Sequence, residues 1–368
     1  MDSDSNCCCE HSKQKQLRIS LKDIASELGI SQTAVSFAIN DKPGVSAETK
    51  KKVNEAAMKL GWRPVYASQA LGSSRTMTVG FAPTRSYDEL KDESFMLHFM
   101  AGAQASLSKR RYGLLYQPCS SMKEELATYE DWASRKRVDG VILVNLQDND
   151  PRPARLKELG LFAVLAGGPV DSDWLLSLSI DDSQVMGCIL DNLLESGHKR
   201  IAYISGDSSL MYSKDRQKSF QMFAAEKNLD KICVEYTGFK PENAARITMD
   251  LLTQEDPPTA FIYETEILAI ASLKAMTEYL IKRDYEENTL YDHRYYPYKL
   301  PAIVGFEDSF VCESSYPSIT SVQRDASEYG SKVANLLLKV IDGENVKGDR
   351  KILTPRLVLR DSTLLYKR

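Results

Sequence analysis

Between residues 19 and 63 three short helical stretches follow one another with almost no chain between them, and this spacing constrains the fold more than any other feature. Ser20 caps a first helix that places Leu21, Ile24, Ala25 and Leu28 on one face, and Gly29 ends it. Ser31 caps a second helix, Gln32–Ile39, so the two are joined by a turn of about three residues that contains glycine. Ser46 caps a third, from Ala47 to Leu60, whose Val53, Ala56, Ala57 and Leu60 face the first two; Gly61 stops it and Pro64 opens a new segment. Two helices joined by so short a turn and backed by a third make a helix-turn-helix head. The second helix begins with Gln32, Thr33 and Ser36, whose short or bidentate polar side chains suit base edges and phosphates.

Charge points the same way. Residues 17–75 carry nine Lys/Arg against five Asp/Glu, whereas the chain as a whole has 47 against 51. A basic head on an acidic protein fits nucleic acid meeting one end only. From spacing alone, an ordinary helical bundle with a solvated basic face stays open.

The order of the residues narrows this. Ser20 to Pro64, S-L-K-D-I-A-S-E-L-G-I-S-Q-T-A-V-S-F-A-I-N-D-K-P-G-V-S-A-E-T-K-K-K-V-N-E-A-A-M-K-L-G-W-R-P, resembles without a gap the N-terminal domain of the lactose/galactose repressor (LacI) family. The resemblance implies double-stranded operator DNA as partner, contacted by Ser31, Gln32, Thr33, Ser36, Phe37, Asn40, Ser46 and Thr49. It also implies that residues 64–75 form a hinge helix that folds on DNA, with Leu71 as the wedge inserted into the minor groove. Phe37 stands where the family usually carries an arginine.

From Met77 onward short apolar runs alternate with amphipathic helical stretches. Strands are expected over Thr78–Ala82, Gly113–Tyr116, Gly140–Val144, Leu161–Leu165, Arg200–Ile204, Ile232–Tyr236, Thr259–Tyr263 and Ala302–Phe306. Helices are expected over Phe95–Lys109, Lys123–Arg135, Ser183–Ser196, Lys214–Lys227, Glu242–Leu252 and Glu266–Ile281. Alternation of this kind implies parallel sheets flanked by helices. Eight strands in two sets suggest an α/β body of two lobes with a closable small-molecule cleft between them. Further stretches match the family in order: Val138–Ile142, Ser196–Tyr203, Val304–Asp308, Ser318–Val322 and Pro355–Thr363. The resemblance implies a periplasmic-binding-protein-like body, with 76–179 and 325–347 in one lobe and 180–324 and 348–368 in the other.

It further implies a small-molecule effector, such as a sugar or another hydroxyl-rich metabolite, held by Phe95, Arg216, Thr265, Glu266, Glu307 and Asp308. Arg216 sits in R-Q-K-S-F against the family's R-x-x-G-F, and its guanidinium fork suits hydroxyls or a carboxylate. For each of these residues a structural cap, ion pair or core role is the competing reading. Gly167-Gly168 replace a usual Asp-Arg, Thr265-Glu266 a usual Asn-Asp, and Glu307-Asp308 a usual Asp-Asp, so the pocket departs from that of the well-known sugar repressors. The excess of carboxylates favours a neutral or cationic ligand over an anion. Residues 283–300, rich in tyrosine, read as a surface loop, a lid or a partner surface.

Other classes fit poorly. There is no P-loop, no G-x-G-x-x-G after a strand, no H-E-x-x-H and no G-x-S-x-G, and the four histidines are not at metal-ligand spacing. No enzyme activity, cofactor or metal is therefore expected. Residues 1–16 are polar and aperiodic, a disordered arm; Cys7-Cys8-Cys9 lack the spaced pairs of a zinc site, which favours an incidental tail and leaves a metal or redox role of Cys7–His11 as the alternative. Cys119, Cys188, Cys233 and Cys312 are scattered singly, as reduced thiols are. The chain has neither a signal-peptide pattern nor an apolar run of about 18 residues, so a soluble cytoplasmic protein without a membrane partner is expected. Because one recognition helix covers few base pairs, a homodimer on a palindromic operator is expected. A head regulated by a protein partner, and a solute-binding module without specific DNA binding, are the rivals; inducer and corepressor fit equally.

Overall fold

The computed structural model describes residues 19–40, 42–62, 75–84, 94–170, 172–229, 231–286 (backbone alone at 284–286), 300–346 and 353–364. The chain divides into two compact units, Met1–Thr76 and Met77–Arg368.

In the first unit, α1 (Leu21–Leu28), α2 (Gln32–Ile39) and α3 (Ala47–Lys59) form where their caps predict. The Ser31 hydroxyl accepts the Ala34 N–H at 3.1 Å and that of Ser46 accepts the Thr49 N–H at 3.2 Å, so two helix starts are closed by side chains. Gly29 ends α1 at φ 62°, in the left-handed region that glycine enters at no steric cost. The core is minimal. Ile24, Val35 and Val53, one per helix, are fully buried, and each contributes about 1.5–3 kcal/mol. Ile19, Leu28, Ile39, Leu60 and Trp62 pack around them.

The second unit is a two-lobed α/β body with a parallel sheet in each lobe. The first lobe contains β1 (Thr78–Phe81), α4 (Ser94–Lys109), β2 (Gly113–Tyr116), α5 (Met122–Ser134), β3 (Gly140–Leu143), α6 (Pro151–Glu158), β4 (Phe162–Ala166) and β5 (Leu176–Leu178), in sheet order β2-β1-β3-β4-β5. The second contains α7 (Asp182–Glu195), β6 (Arg200–Ser205), α8 (Met211–Glu226), β7 (Lys231–Tyr236), α9 (Pro241–Leu252), β8 (Ala260–Tyr263), α10 (Glu266–Glu286), β9 (Ala302–Gly305), α11 (Phe310–Ser314) and β10 (Thr320–Gln323). The chain then returns to the first lobe as α12 (Ala326–Ile341). It ends with β11 (Arg356–Val358), antiparallel to β10 at the edge of the second sheet, and α13 (Asp361–Leu364). The second sheet runs β11-β10-β9-β8-β6-β7.

Each sheet is covered on both faces. Phe99, Ala103, Val333 and Leu337, from α4 and α12, fill one side of the first sheet; Tyr129, Trp132 and Leu156 fill the other. In the second, Leu251 and Leu273 lie on one side and Ile189 and Phe220 on the other. This two-sided burial explains the unbroken apolar runs of the strands. Helices α4 and α12 cross backbone to backbone: a Cβ on Gly102 would lie 1.9 Å from the Ser327 carbonyl oxygen, and one on Gly330 2.0 Å from that of Phe99.

All eight expected strands are present to within one residue at each end. Three further strands, β5, β10 and β11, were not expected; they have three or four residues each. Four helices were also not expected as such, α6, α11, α12 and α13; the first begins Pro-Arg-Pro, a breaker pattern in which proline occupies the first helical turn and Asp150 caps it. Helix α10 runs on to Glu286, into the segment read as a loop; residues 287–299 lie outside the described residues. So do the arm, Cys7–Cys9 and most of the expected hinge, including Leu71.

Candidate functional site

The head presents α2 as an exposed helix. Gln32, Thr33, Phe37 and Asn40 are exposed and Ser36 is half-buried, while Val35 and Ala38 turn inward, so one face is free and the other builds the core. Phe37 is 36% exposed, with the Lys42 ammonium 5.8 Å from its ring centroid. The Asn40 amide donates to the Ser36 carbonyl at 2.8 Å, folding the last polar side chain back onto the helix. Ser31 and Ser46 act as caps, and the Thr49 hydroxyl lies 2.9 Å from that of Ser46. Exposed polar residues at a helix N-terminus, where unpaired N–H groups already gather, form a surface suited to phosphates and base edges.

In the body a cavity of about 580 Å³ opens between the two lobes at the carboxyl ends of their strands. Five of the six expected ligand residues line it: Phe95, Arg216, Thr265, Glu266 and Glu307. One wall is aromatic. Phe95 and Phe99 pack on Tyr329, centroids 6.5 and 5.6 Å apart, with Tyr212 and Phe239 also lining the space. Gly167 and Gly168 form part of the wall as bare backbone at φ 139° and 97°, angles that a side chain makes costly. The lobes are joined at the rim: Ser94 donates to Glu266 at 3.0 Å, the Met211 N–H to the Leu146 carbonyl at 2.9 Å, and Lys214 pairs with Asp148.

The charged floor is a closed quartet. Arg216 Nε donates to Asp182 at 2.6 Å and its Nη1 to Glu264 at 2.5 Å. Arg324 donates to the other Asp182 oxygen at 2.9 Å and to the Phe306 carbonyl at 2.5 Å. Both guanidinium carbons lie near the Phe306 ring, 4.6 and 5.0 Å from its centroid. Burial alone pushes the Asp182 carboxyl up, but the charges of Arg216 and Arg324 outweigh it and hold its pKa below the ordinary value. Burial likewise lowers Arg216, and Asp182 and Glu264 more than reverse this, so it stays protonated.

Asp308 is not brought to the cavity. Its carboxylate accepts from Arg360 at 2.8 Å and from Ser321 at 2.6 Å, an internal ion pair that ties the C-terminal strand region to the second sheet. Glu307 and Asp308 follow β9 beyond its end, and of the two only Glu307 lines the cleft. Sequence reasoning missed Asn145, Asp182, Arg324, Tyr329 and the residues flanking the α9 start, Phe239, Lys240 and Glu242, all of which line the cavity. Strand-end position was the available signal for Asn145. Nothing local marked Arg324 or Tyr329, which arrive with the return of the chain to the first lobe.

The first lobe has a buried guanidinium of its own. Arg152 on α6 donates to both Glu125 oxygens at 2.9 and 3.0 Å, to Asp150 at 2.6 Å, and to the Asn145 carbonyl at 2.8 Å. Tyr129 and Thr84 donate to the same Glu125 at 2.5 Å. Burial would raise Asp150; the hydrogen bonds and charge of Arg152 hold it low.

Among the described residues no group of three or more His, Cys, Asp or Glu is placed to hold a metal ion, and no helix is long and apolar enough to cross a membrane. Comparison with known proteins agrees with the two-part architecture. The profile of bacterial regulatory proteins of the lacI family matches residues 20–65, and that of the periplasmic binding protein-like domain matches 190–282 and 296–363. The HTH-type transcriptional regulator AglR of Rhizobium meliloti (strain 1021) is 31% identical over 266 residues, 71% of this chain and 73% of AglR. CelR of Thermobifida fusca, also an HTH-type transcriptional regulator, is 27% identical over 363 residues, 95% of this chain and 99% of CelR. A solved complex of the transcriptional regulator CelR with cellobiose matches at a TM-score of 0.68 and 26% identity, covering 94% of this chain and 100% of that one. The chain therefore belongs to the LacI family of bacterial regulatory proteins, as a DNA-binding transcriptional regulator and not an enzyme.

Proposed function

We propose that the protein is a cytoplasmic, homodimeric repressor of carbohydrate-related genes, released from or driven onto a palindromic operator by a neutral, hydroxyl-rich ligand in the interlobe cavity. The observation that carries the ligand class is the closed quartet: two guanidiniums matched by two carboxylates in a space walled by aromatic rings. Aromatic faces suit the apolar side of a sugar ring, and paired donors and acceptors suit hydroxyls, which both donate and accept. The similarity to a regulator solved with cellobiose supports the same class. Ligand binding would act by population shift, favouring one relative orientation of the lobes.

On the DNA side, Gln32, Thr33 and Ser36 are proposed to read base edges, with Ser31, Asn40, Ser46 and Thr49 fixing register on the backbone and Leu71 wedging the central step. Phe37 cannot donate to guanine, so the base it meets is proposed to be A·T, contacted through the thymine methyl. Selection of sites from random DNA tests this: a palindrome with thymine at that step is expected, and an invariant guanine there contacted by no other residue would count against it. For the effector, a thermal-shift screen of cellobiose, other glycosides, nucleosides and organic acids decides. A neutral glycoside as the tightest hit, altering operator affinity, is the expected result; a carboxylate or phosphate as the tightest hit would overturn it.

A further inference from the structure

We propose that Glu264 sets the charge preference of the interlobe cleft, fixing Arg216 in place and cancelling its charge so that the guanidinium serves uncharged acceptors and does not draw in anions. The inference rests on the cleft being the ligand site. Glu264 follows β8 and is fully buried, below the cavity lining. Its Oε2 accepts from Tyr203 at 2.5 Å and Ser205 at 2.9 Å, and its Oε1 from Arg216 at 2.5 Å and Ser213 at 3.4 Å. Four donors meet one buried carboxyl group, so neither of its oxygens is left without a partner. Three of those donors, Tyr203, Ser205 and Ser213, do not line the cavity; they fix the carboxylate, and the carboxylate fixes Arg216.

The consequence lies in what Arg216 has left. Nε is engaged by Asp182 and Nη1 by Glu264, while among the described residues Nη2 has no protein partner and the residue lines the cavity. Two aromatic rings, Tyr212 and Phe306, hold the guanidinium at 5.1 and 4.6 Å. It is thus a rigid N–H donor aimed from a neutral quartet. Remove the charge of Glu264 and, within the quartet, Asp182 alone faces two guanidiniums. The floor then gains one positive charge to set against the Glu266 and Glu307 carboxylates that also line the cavity, in a poorly solvated site where such a change weighs most on an anion.

Calorimetric titration of the full-length protein with cellobiose, its aldonic acid cellobionate, and inorganic phosphate tests this. Glu264→Gln is expected to raise affinity for cellobionate and phosphate by about tenfold or more. Adding Arg216→Gln to that variant is expected to remove the gain. Glu264→Asp keeps the charge but cannot reach Arg216 and Tyr203 together, so cellobiose affinity is expected to fall while phosphate affinity stays at the wild-type level. Unchanged anion affinity in Glu264→Gln, or a gain in Glu264→Asp equal to that in Glu264→Gln, overturns the proposal. Should Glu264→Gln fail to fold, Glu264→Asp decides: a rise in its phosphate affinity overturns the charge argument. If the wild type binds no neutral glycan, the carbohydrate reading fails while the phosphate comparison still decides the role of Glu264.

Discussion

The two lobes each bury an arginine between two carboxylates, yet the two arrangements do different things. In the first lobe Arg152 is enclosed: every nitrogen donates to Glu125, Asp150 or the Asn145 carbonyl, and the side chain is 1% exposed. In the second, Arg216 is enclosed on two nitrogens and open to the cavity on the third, with Arg324 beside it. One network is a rivet joining α5, α6 and the turn after β3; the other leaves a donor at the wall of the interlobe cavity, where we propose that the ligand binds. Burial of charge is thus no guide to function in this fold. What separates the two is whether any donor is left facing a space large enough to hold a ligand.

If that distinction is right, it breaks first on stability. Arg152→Met strands two buried carboxylates and is expected to cost about 3–5 kcal/mol of unfolding free energy. Arg216→Met is expected to cost less, about 1–3 kcal/mol, because Arg324 still pairs with Asp182 and Tyr203, Ser205 and Ser213 still donate to Glu264. Urea unfolding of both variants checks this, and equal losses would erase the contrast. Function should split the other way. Arg216→Ala is expected to abolish the ligand-induced change in operator affinity while leaving operator binding and dimerisation intact, measured by fluorescence anisotropy with and without effector.

Acid sharpens the comparison less dramatically. Asp150 and Asp182 both titrate below the ordinary value of 3.8 in the fold, so each adds stability that is fully present above that pH and lost as pH falls through the folded value. The urea midpoint is therefore expected to be insensitive to these two groups between pH 5 and 8 and to fall below about pH 4. Asp182→Asn should weaken that fall. The smallest effect belongs to His198, buried beside Thr259. Burial lowers its pKa from 6.5, so the unfolded chain takes the proton first and stability declines as pH drops through that value. His198→Gln is expected to flatten this slope.

The head was legible almost in full because everything that forms it is local. Ser31 and Ser46 lie three residues from the N–H groups they cap, and the helical period marks Ile24, Val35 and Val53 as core. The α/β class was legible for the same reason, since apolar strands and amphipathic helices alternate within windows of about ten residues. The cleft was legible in part: Phe95, Arg216, Thr265, Glu266 and Glu307 follow from strand ends and resemblance together. Asp308 did not follow, because the arginine that claims its carboxylate, Arg360, lies 52 residues away.

Helix caps, strands and the division of the chain into a basic head and a two-lobed body can be read from the residues alone, because each depends on positions close together in the chain. Which charges are neutralised and which face a ligand was decided only in three dimensions. The partners of Arg216 lie 34 and 48 residues away, and Arg324 meets Asp182 across 142 residues. Charge pairing at such separations depends on how the lobes bring strand ends together, and no local period records it.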